Sequence, residues 1–238
     1  MRCRPVKLLL PKLRPPPWMR GCGPTRRCLP KGTASNFRGP DDMALLPYTS
    51  GTTGLPKGCI HTHRSLMSNT VGGQWSHTGP ETVSLGVVPM FHITGMLYGV
   101  LASVHSGGTT VIMPRWDREL AGRLISRYQV THWTCIPTMI IDLLASPNVA
   151  NYDLTSLVFI SGGGAAMPQA VAEKLFQQFG LRFVEGYGLT ETAAPSHSNP
   201  PDATKQQCLG IPFISTEARV IDPLTPCRGR GGPGPAGS

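Results

Sequence analysis

Between residues 83 and 185, short apolar runs alternate with helix-length stripes, and few folds accommodate that order. Residues 83–88, 109–113, 131–135, 157–160 and 182–185 read as strands. Between them, residues 95–104 read as a buried helix. Residues 117–128 carry apolar positions at Leu120, Ala121, Leu124 and Ile125, the stripe of a surface helix. Another helix follows Pro137, and a further one runs from Pro168, at its first position, to a stop at Gly180. Strands spaced by helices of this length predict βαβ units and a mainly parallel α/β sheet. In such sheets ligands sit at the carboxyl ends of the strands.

Three loops at strand ends carry chemistry. The first is Tyr48-Thr49-Ser50-Gly51-Thr52-Thr53-Gly54-Leu55-Pro56-Lys57-Gly58, entered from the apolar run Ala44-Leu45-Leu46, which reads as a short buried strand. Its glycines allow positive φ and close approach to a ligand. Successive backbone N–H groups make a concave anion site, hydroxyls donate to phosphate oxygens, and Lys57 adds a mobile positive charge. The spacing is not that of a Walker A loop. The second loop, Ser161-Gly162-Gly163-Gly164-Ala165-Ala166-Met167-Pro168, offers small residues against which a flat ring can lie. The third, Gly186-Tyr187-Gly188-Leu189-Thr190-Glu191-Thr192, combines a ring for stacking, hydroxyls for a phosphate and a hard oxygen ligand for Mg²⁺.

The first loop, continuing into His63-Arg64-Ser65-Leu66, resembles the phosphate-loop signature of adenylate-forming enzymes. These are the acyl- and aryl-CoA synthetases, luciferases and adenylation domains of peptide synthetases. The third loop resembles the second signature of the same family. The resemblance implies that Thr49, Ser50, Gly51, Thr52, Thr53, Gly54 and Lys57 hold the β- and γ-phosphates of ATP. It implies that Thr190 holds the α-phosphate and Glu191 the Mg²⁺, and that Gly162, Gly163, Gly164, Ala165, Tyr187 and Gly188 surround adenine. Lys57, Thr190, Glu191 and His92 would form the catalytic set. Pro89-Met90-Phe91-His92-Ile93-Thr94-Gly95-Met96 resembles the family's acyl-pocket motif in its acyl-CoA synthetase version, with His92 and Met96 bordering the pocket. Amino-acid-activating relatives usually carry an Asp there, and its absence implies an uncharged acyl tail. A core histidine is the alternative reading of His92.

The formal charge of +9 is local. Residues 1–40 hold ten basic and no acidic residues, leaving 12 basic against 13 acidic in the rest, so no nucleic-acid partner is expected. That leader, with eight prolines, reads as disordered; an organelle transit peptide or non-native coding sequence are the other readings. Seven scattered cysteines without metal-ligand spacing suggest a reducing compartment, the cytoplasm. No apolar run has the length of a membrane span; residues 133–145, broken by Pro137, read as strand and helix.

The resemblance covers residues 43–222, including 215–222 as a last strand, and implies an incomplete large domain of the adenylate-forming fold. Residues 1–40 would be a leader, 41–222 a partial AMP-binding domain and 223–238 a Pro/Gly-rich tail. The family's ribose-binding Asp and the small domain with its catalytic Lys have no counterpart here. The implied activity is a fatty-acyl-CoA synthetase, with ATP, CoA and a fatty acid as substrates. An aryl-CoA ligase and a non-catalytic nucleotide-binding fragment are the alternatives.

Overall fold

The computed structural model describes residues 7–9, 39–49, 54–72, 76–214 and 216–219. Twelve strands are present among them. The large sheet takes β1 (Lys7–Leu9), β6 (Val83–Gly86), β7 (Thr109–Ile112), β8 (His132–Cys135), β9 (Phe159–Gly162), β10 (Phe183–Leu189), β11 (Ala194–Ser198) and β12 (Ile211–Pro212). Their order is β1-β7-β6-β8-β9-β10-β11-β12. All pairs from β1 to β10 are parallel, and β11 and β12 extend the sheet antiparallel. The expected mainly parallel α/β sheet is therefore the observed one.

Alternation along the strands builds two cores. Leu85, Val111, Trp133, Ile160 and Phe183 face one side. There they meet α4 (Arg118–Tyr128), α5 (Pro137–Leu144) and α6 (Gln169–Phe179) through Ala121, Leu124, Ile125, Ile140, Leu143 and Leu175. The opposite face receives α1 (His63–Gly72) and the helix built from α2 (Ile93–Met96), a π-helical turn at Leu97–Leu101 and α3 (Ala102–Ser106). A second cluster of Leu66, Ile93, Leu97, Ala193 and Ala194 lies under them. The buried Ser103 and Thr110 hydroxyls, 2.5 Å apart, tie α3 to β7.

Local signals explain most boundaries. Asp117 caps α4, its Oδ1 accepting from Leu120 N at 2.7 Å. Gly180 ends α6 at φ 68°, where a Cβ would be strained. Pro168 stands one residue before α6, not inside it.

Four expectations change. Ala44 and Leu45 lie in β2 (Met43–Leu45), which is half-buried at best because it pairs only with β5 (His61–Thr62). β1 falls inside the leader, so Lys7–Leu9 depart from the expected disorder; the rest of the leader up to residue 38 lies outside the described residues. Residues 216–219 form no strand, because Thr216 N bonds Phe213 O at 2.9 Å and turns the chain after Pro212. β11 was not expected, since Ala-Pro-Ser-His-Ser has no apolar alternation. The 223–238 tail is outside the described residues.

Glu119 organises the outer end of α4 and α5. It accepts from Ser146 Oγ at 2.6 Å, Asn148 Nδ2 at 3.0 Å and the Tyr152 hydroxyl. These bonds, Ser146 first, hold its carboxyl at about 2 against an ordinary 4.5. A depressed folded pKa contributes stability that is present above the unfolded value and lost as pH falls toward the folded one. Glu119→Gln should therefore lower the thermal midpoint at pH 7, and the gap to the native chain should close between pH 4.5 and about 2. Melting curves with a gap that stays constant over that range would refute the assignment.

Candidate active site

The carboxyl ends of β6, β8, β9 and β10 open onto one cleft of ≈ 620 Å³. Val88, Pro89, Phe91, His92, Ile93 and Thr94 form one wall, following β6. Cys135 and Ile136 leave β8, and Gly162, Gly163 and Gly164 leave β9. Tyr187, Gly188, Leu189, Thr190 and Glu191 close the other side, with Thr49 at the edge. Three sequence-distant motifs thus meet where the strand order places a ligand.

The first loop rises from a separate ribbon. Tyr48–Thr49 (β3) pairs antiparallel with Lys57–Gly58 (β4), so Thr49 and Lys57 are register partners at its base. Lys57 is exposed and forms no ion pair among the described residues. Gly54 adopts φ 112°, open only to glycine without strain. Ser50, Gly51, Thr52 and Thr53 lie outside the described residues.

The glycines of the second loop serve two purposes. A Cβ at Gly162 would lie 1.8 Å from Cys135 O, and one at Gly163 2.4 Å from Gly186 O. Both are glycine because neighbouring backbone needs the space. Gly164, at φ 82° with open space around it, is the turn itself. Ala165 is exposed and does not line the cleft.

β10 carries the third motif further than the sequence suggests, as a strand through Leu189. Tyr187 packs edge-on against His197 of β11, ring centroids 6.2 Å apart, which fixes its ring at the cleft. A tight turn then spans Thr190–Thr192. Thr192 Oγ1 spends its bonds on the Leu189 and Ala194 backbone. The Thr190 hydroxyl and Glu191 carboxylate have no partner among the described residues. An exposed, unpaired carboxylate at a cleft suits Mg²⁺, which is bound through one or two carboxylates plus phosphate and water oxygens. No cluster of three or more His, Cys, Asp or Glu able to hold a metal occurs among the described residues, so a metal here would depend on the ligand's oxygens.

His92 is the N-cap of α2: its Nδ1 accepts from Thr94 N at 3.2 Å. That fixes the imidazole of this cleft-lining residue and leaves Nε2 as the nitrogen without a partner among the described residues. Gly95 behind it is obligatory, since a Cβ would meet Pro89 O at 2.1 Å. Met96 does not line the cleft; Tyr98 does, together with Thr94. Tyr98, Thr94, Val88 and Thr134 also line a smaller cavity of ≈ 40 Å³, so the two adjoin at these residues. Burial without a charged neighbour raises its phenol pKa. It sits in the π-helical turn, a device often found at functional sites.

Sequence reasoning missed His61, Asn69, Tyr98 and His197. His61 is 3% exposed and lies 2.7 Å from Thr190 O through Nε2, which must carry the proton. Asn69 Nδ2 donates to Thr192 O at 2.6 Å and Ala193 O at 2.9 Å. Nothing local in the sequence marks His61, since its apolar neighbour Ile60 is the exposed one of the two.

Residues 14–235 match the family of AMP-binding enzymes. The long-chain-fatty-acid–CoA ligase of Bacillus subtilis (strain 168) is 35% identical over 189 residues, covering 77% of this chain and 34% of its own length. The 4-coumarate–CoA ligase of Pinus taeda is 36% identical over 199 residues, covering 78% and 37%. Among solved structures, ATP-bound MatB from Rhodopseudomonas palustris superposes with a TM-score of 0.73 at 29% identity, covering 79% of this chain and 37% of that one. The chain thus spans about a third of the length of the curated relatives it matches. Its cleft, its parallel sheet and the match along most of its length lead to one conclusion: the chain belongs to the AMP-binding enzyme family.

Proposed function

We propose that the chain carries the nucleotide- and acid-binding core of an ATP-dependent acid–thiol ligase. In the first step a carboxylate oxygen attacks the α-phosphorus of ATP, and the bond to the pyrophosphate oxygen breaks, giving acyl-adenylate and pyrophosphate. In the second, the CoA thiol attacks the acyl carbon, loses its proton and releases AMP. The observation that carries this reading is the convergence of Thr49, His92, Gly162 to Gly164, Tyr187, Thr190 and Glu191 on one cleft.

Catalysis of this kind rests on positioning and on charge placed before the reaction. Thr49, Ser50, Gly51, Thr52, Thr53, Gly54 and Lys57 grip the β- and γ-phosphates. Thr190 donates to the α-phosphate. Gly162 to Gly164, Tyr187 and Gly188 hold adenine, with the Tyr187 ring available for stacking, and the exposed Ala165 drops out of that set. Mg²⁺, bound by Glu191, neutralises phosphate charge when present. His92 stands where the acid and the phosphate meet. A body at 41–222, joined at its sheet edge by Lys7–Leu9 of the segment 1–40, and a tail at 223–238 belong to the same proposal, as does a reducing, cytoplasmic setting for the free thiols Cys59, Cys135 and Cys208. Among the described residues no helix is long and apolar enough to cross a membrane.

The acid side of the cleft is apolar: Val88, Pro89, Phe91, Ile93 and Ile136, with no carboxylate among them. An uncharged tail fits, and a fatty acid is the leading substrate. The Phe91 and Tyr98 rings on that wall favour an aryl acid as the second reading. Calorimetry on the 238-residue chain tests both. ATP should bind with Mg²⁺ and weakly without it. Each methylene that a fatty acid adds within the cleft should raise affinity by about fourfold, the equivalent of roughly 0.8 kcal/mol. A flat response to fatty-acid length with tight binding of cinnamate-type acids would select the aryl reading. Equal ATP binding with and without Mg²⁺ would reject the assignment of Glu191.

A further inference from the structure

Two loops that must grip one triphosphate belong to different parts of the molecule. The β3–β4 ribbon pairs with no strand of the large sheet, whereas Thr190 and Glu191 stand at the end of β10. The chain that links them is the segment immediately after β4. From β5, His61 Nε2 donates to Thr190 O at 2.7 Å. From α1, Asn69 Nδ2 donates to Thr192 O and Ala193 O. Three carbonyls of one turn therefore accept from two side chains of a single short segment. The turn also needs restraint. Ala193 and Ala194 both hold left-handed φ, 57° and 82°, which costs alanine free energy and persists only where the surroundings impose it. Both alanines are buried against Leu66 of the same α1.

We propose that His61 is a positioning residue for phosphate binding: its Nε2–H fixes the Thr190–Thr192 turn against the segment that follows the phosphate loop, with Asn69 as its second tie. A buried histidine meeting a core carbonyl needs no function. Here, however, the carbonyl belongs to a residue that lines the cleft with its hydroxyl unpartnered among the described residues, and its neighbour is the exposed carboxylate Glu191. The inference rests on the nucleotide reading given above. It assigns to His61 no contact with the substrate.

The test compares two probes on the full chain, Mg·ATP and adenosine, by calorimetry. His61→Leu removes the donor and leaves Thr190 O unpaired; His61→Gln supplies another N–H donor. Mg·ATP affinity should fall about tenfold in His61→Leu, with adenosine affinity changed less than about twofold and most of the loss recovered in His61→Gln. If His61→Leu does not fold by circular dichroism, Asn69→Ala, at a half-buried position, should produce the same selective loss. Equal weakening of both probes would make His61 a packing residue only, and unchanged Mg·ATP binding would remove the tie altogether. A native chain that binds adenosine but shows no gain for Mg·ATP refutes the positioning role while leaving the adenine side of the cleft intact. Binding of neither probe overturns the nucleotide reading and this role with it.

Discussion

Lys57→Ala is expected to weaken Mg·ATP binding by about ten- to a hundredfold, and Glu191→Gln by a similar factor. Both side chains are exposed and unpaired in the fold, so their removal breaks no internal bond. What is lost is a charge-assisted contact to the ligand, worth about 1.5–3 kcal/mol. Lys57 stands at the base of the ribbon and Glu191 in the turn beyond β10, so the proposed function gives each a separate contact with Mg·ATP. Thermal midpoints should stay near that of the native chain. Binding of adenosine, which has no phosphate, should be unaffected by either change. Calorimetry that finds native Mg·ATP affinity in both variants would end the assignment of the two signatures.

A Gly162→Ala chain should lose about 3 kcal/mol or more of stability, a drop in thermal midpoint of roughly 6–12 °C. The added methyl would sit 1.8 Å from Cys135 O, its register partner's carbonyl, and backbone cannot step aside as a side chain can. β8 and β9 must separate, at the mouth of the cleft. Gly164→Asn is the matched control. Its φ of 82° strains any side chain, asparagine's least, and nothing but Ile136 Cγ2, at 4.0 Å, is near. That variant should lose only about 1 kcal/mol, well short of the loss in Gly162→Ala. Equal midpoints for the two variants would mean that the sheet yields where the geometry says it cannot.

The contrast between these glycines shows how far the sequence could be read. The strand–helix alternation from Val83 to Glu185 was legible because apolar spacing is set by which face is buried, and that is local information. The loops stood out because glycines, hydroxyls and charged groups cluster at strand ends, and one cleft brings residues of all three together. The purpose of Gly162 was not: the sequence suggests room for a flat ring, whereas the structure shows room for Cys135 O. Such contacts join positions far apart in the chain. His61 and Thr190 are 129 residues apart, and no local pattern announces their bond. β11 stayed hidden for the related reason that its pairing with β10, not its own residues, makes it a strand. The motif implies Met96 at the cleft, but Tyr98 of the π-helical turn lines it instead.

The two-stranded ribbon that carries the phosphate loop has one more implication, for how this protein tolerates change. A strand inside the large sheet is fixed by a ladder of backbone bonds that any sequence change must respect. β3 and β4 share a ladder only with each other. Their placement is therefore written in side chains, and side chains can be exchanged one at a time. Under the proposed function, variation in nucleotide grip is accessible through single substitutions along residues 57–69, while the acid side of the cleft, framed by β6, β8 and β9, stays as it is. Two halves of one active site can in this way drift at different rates.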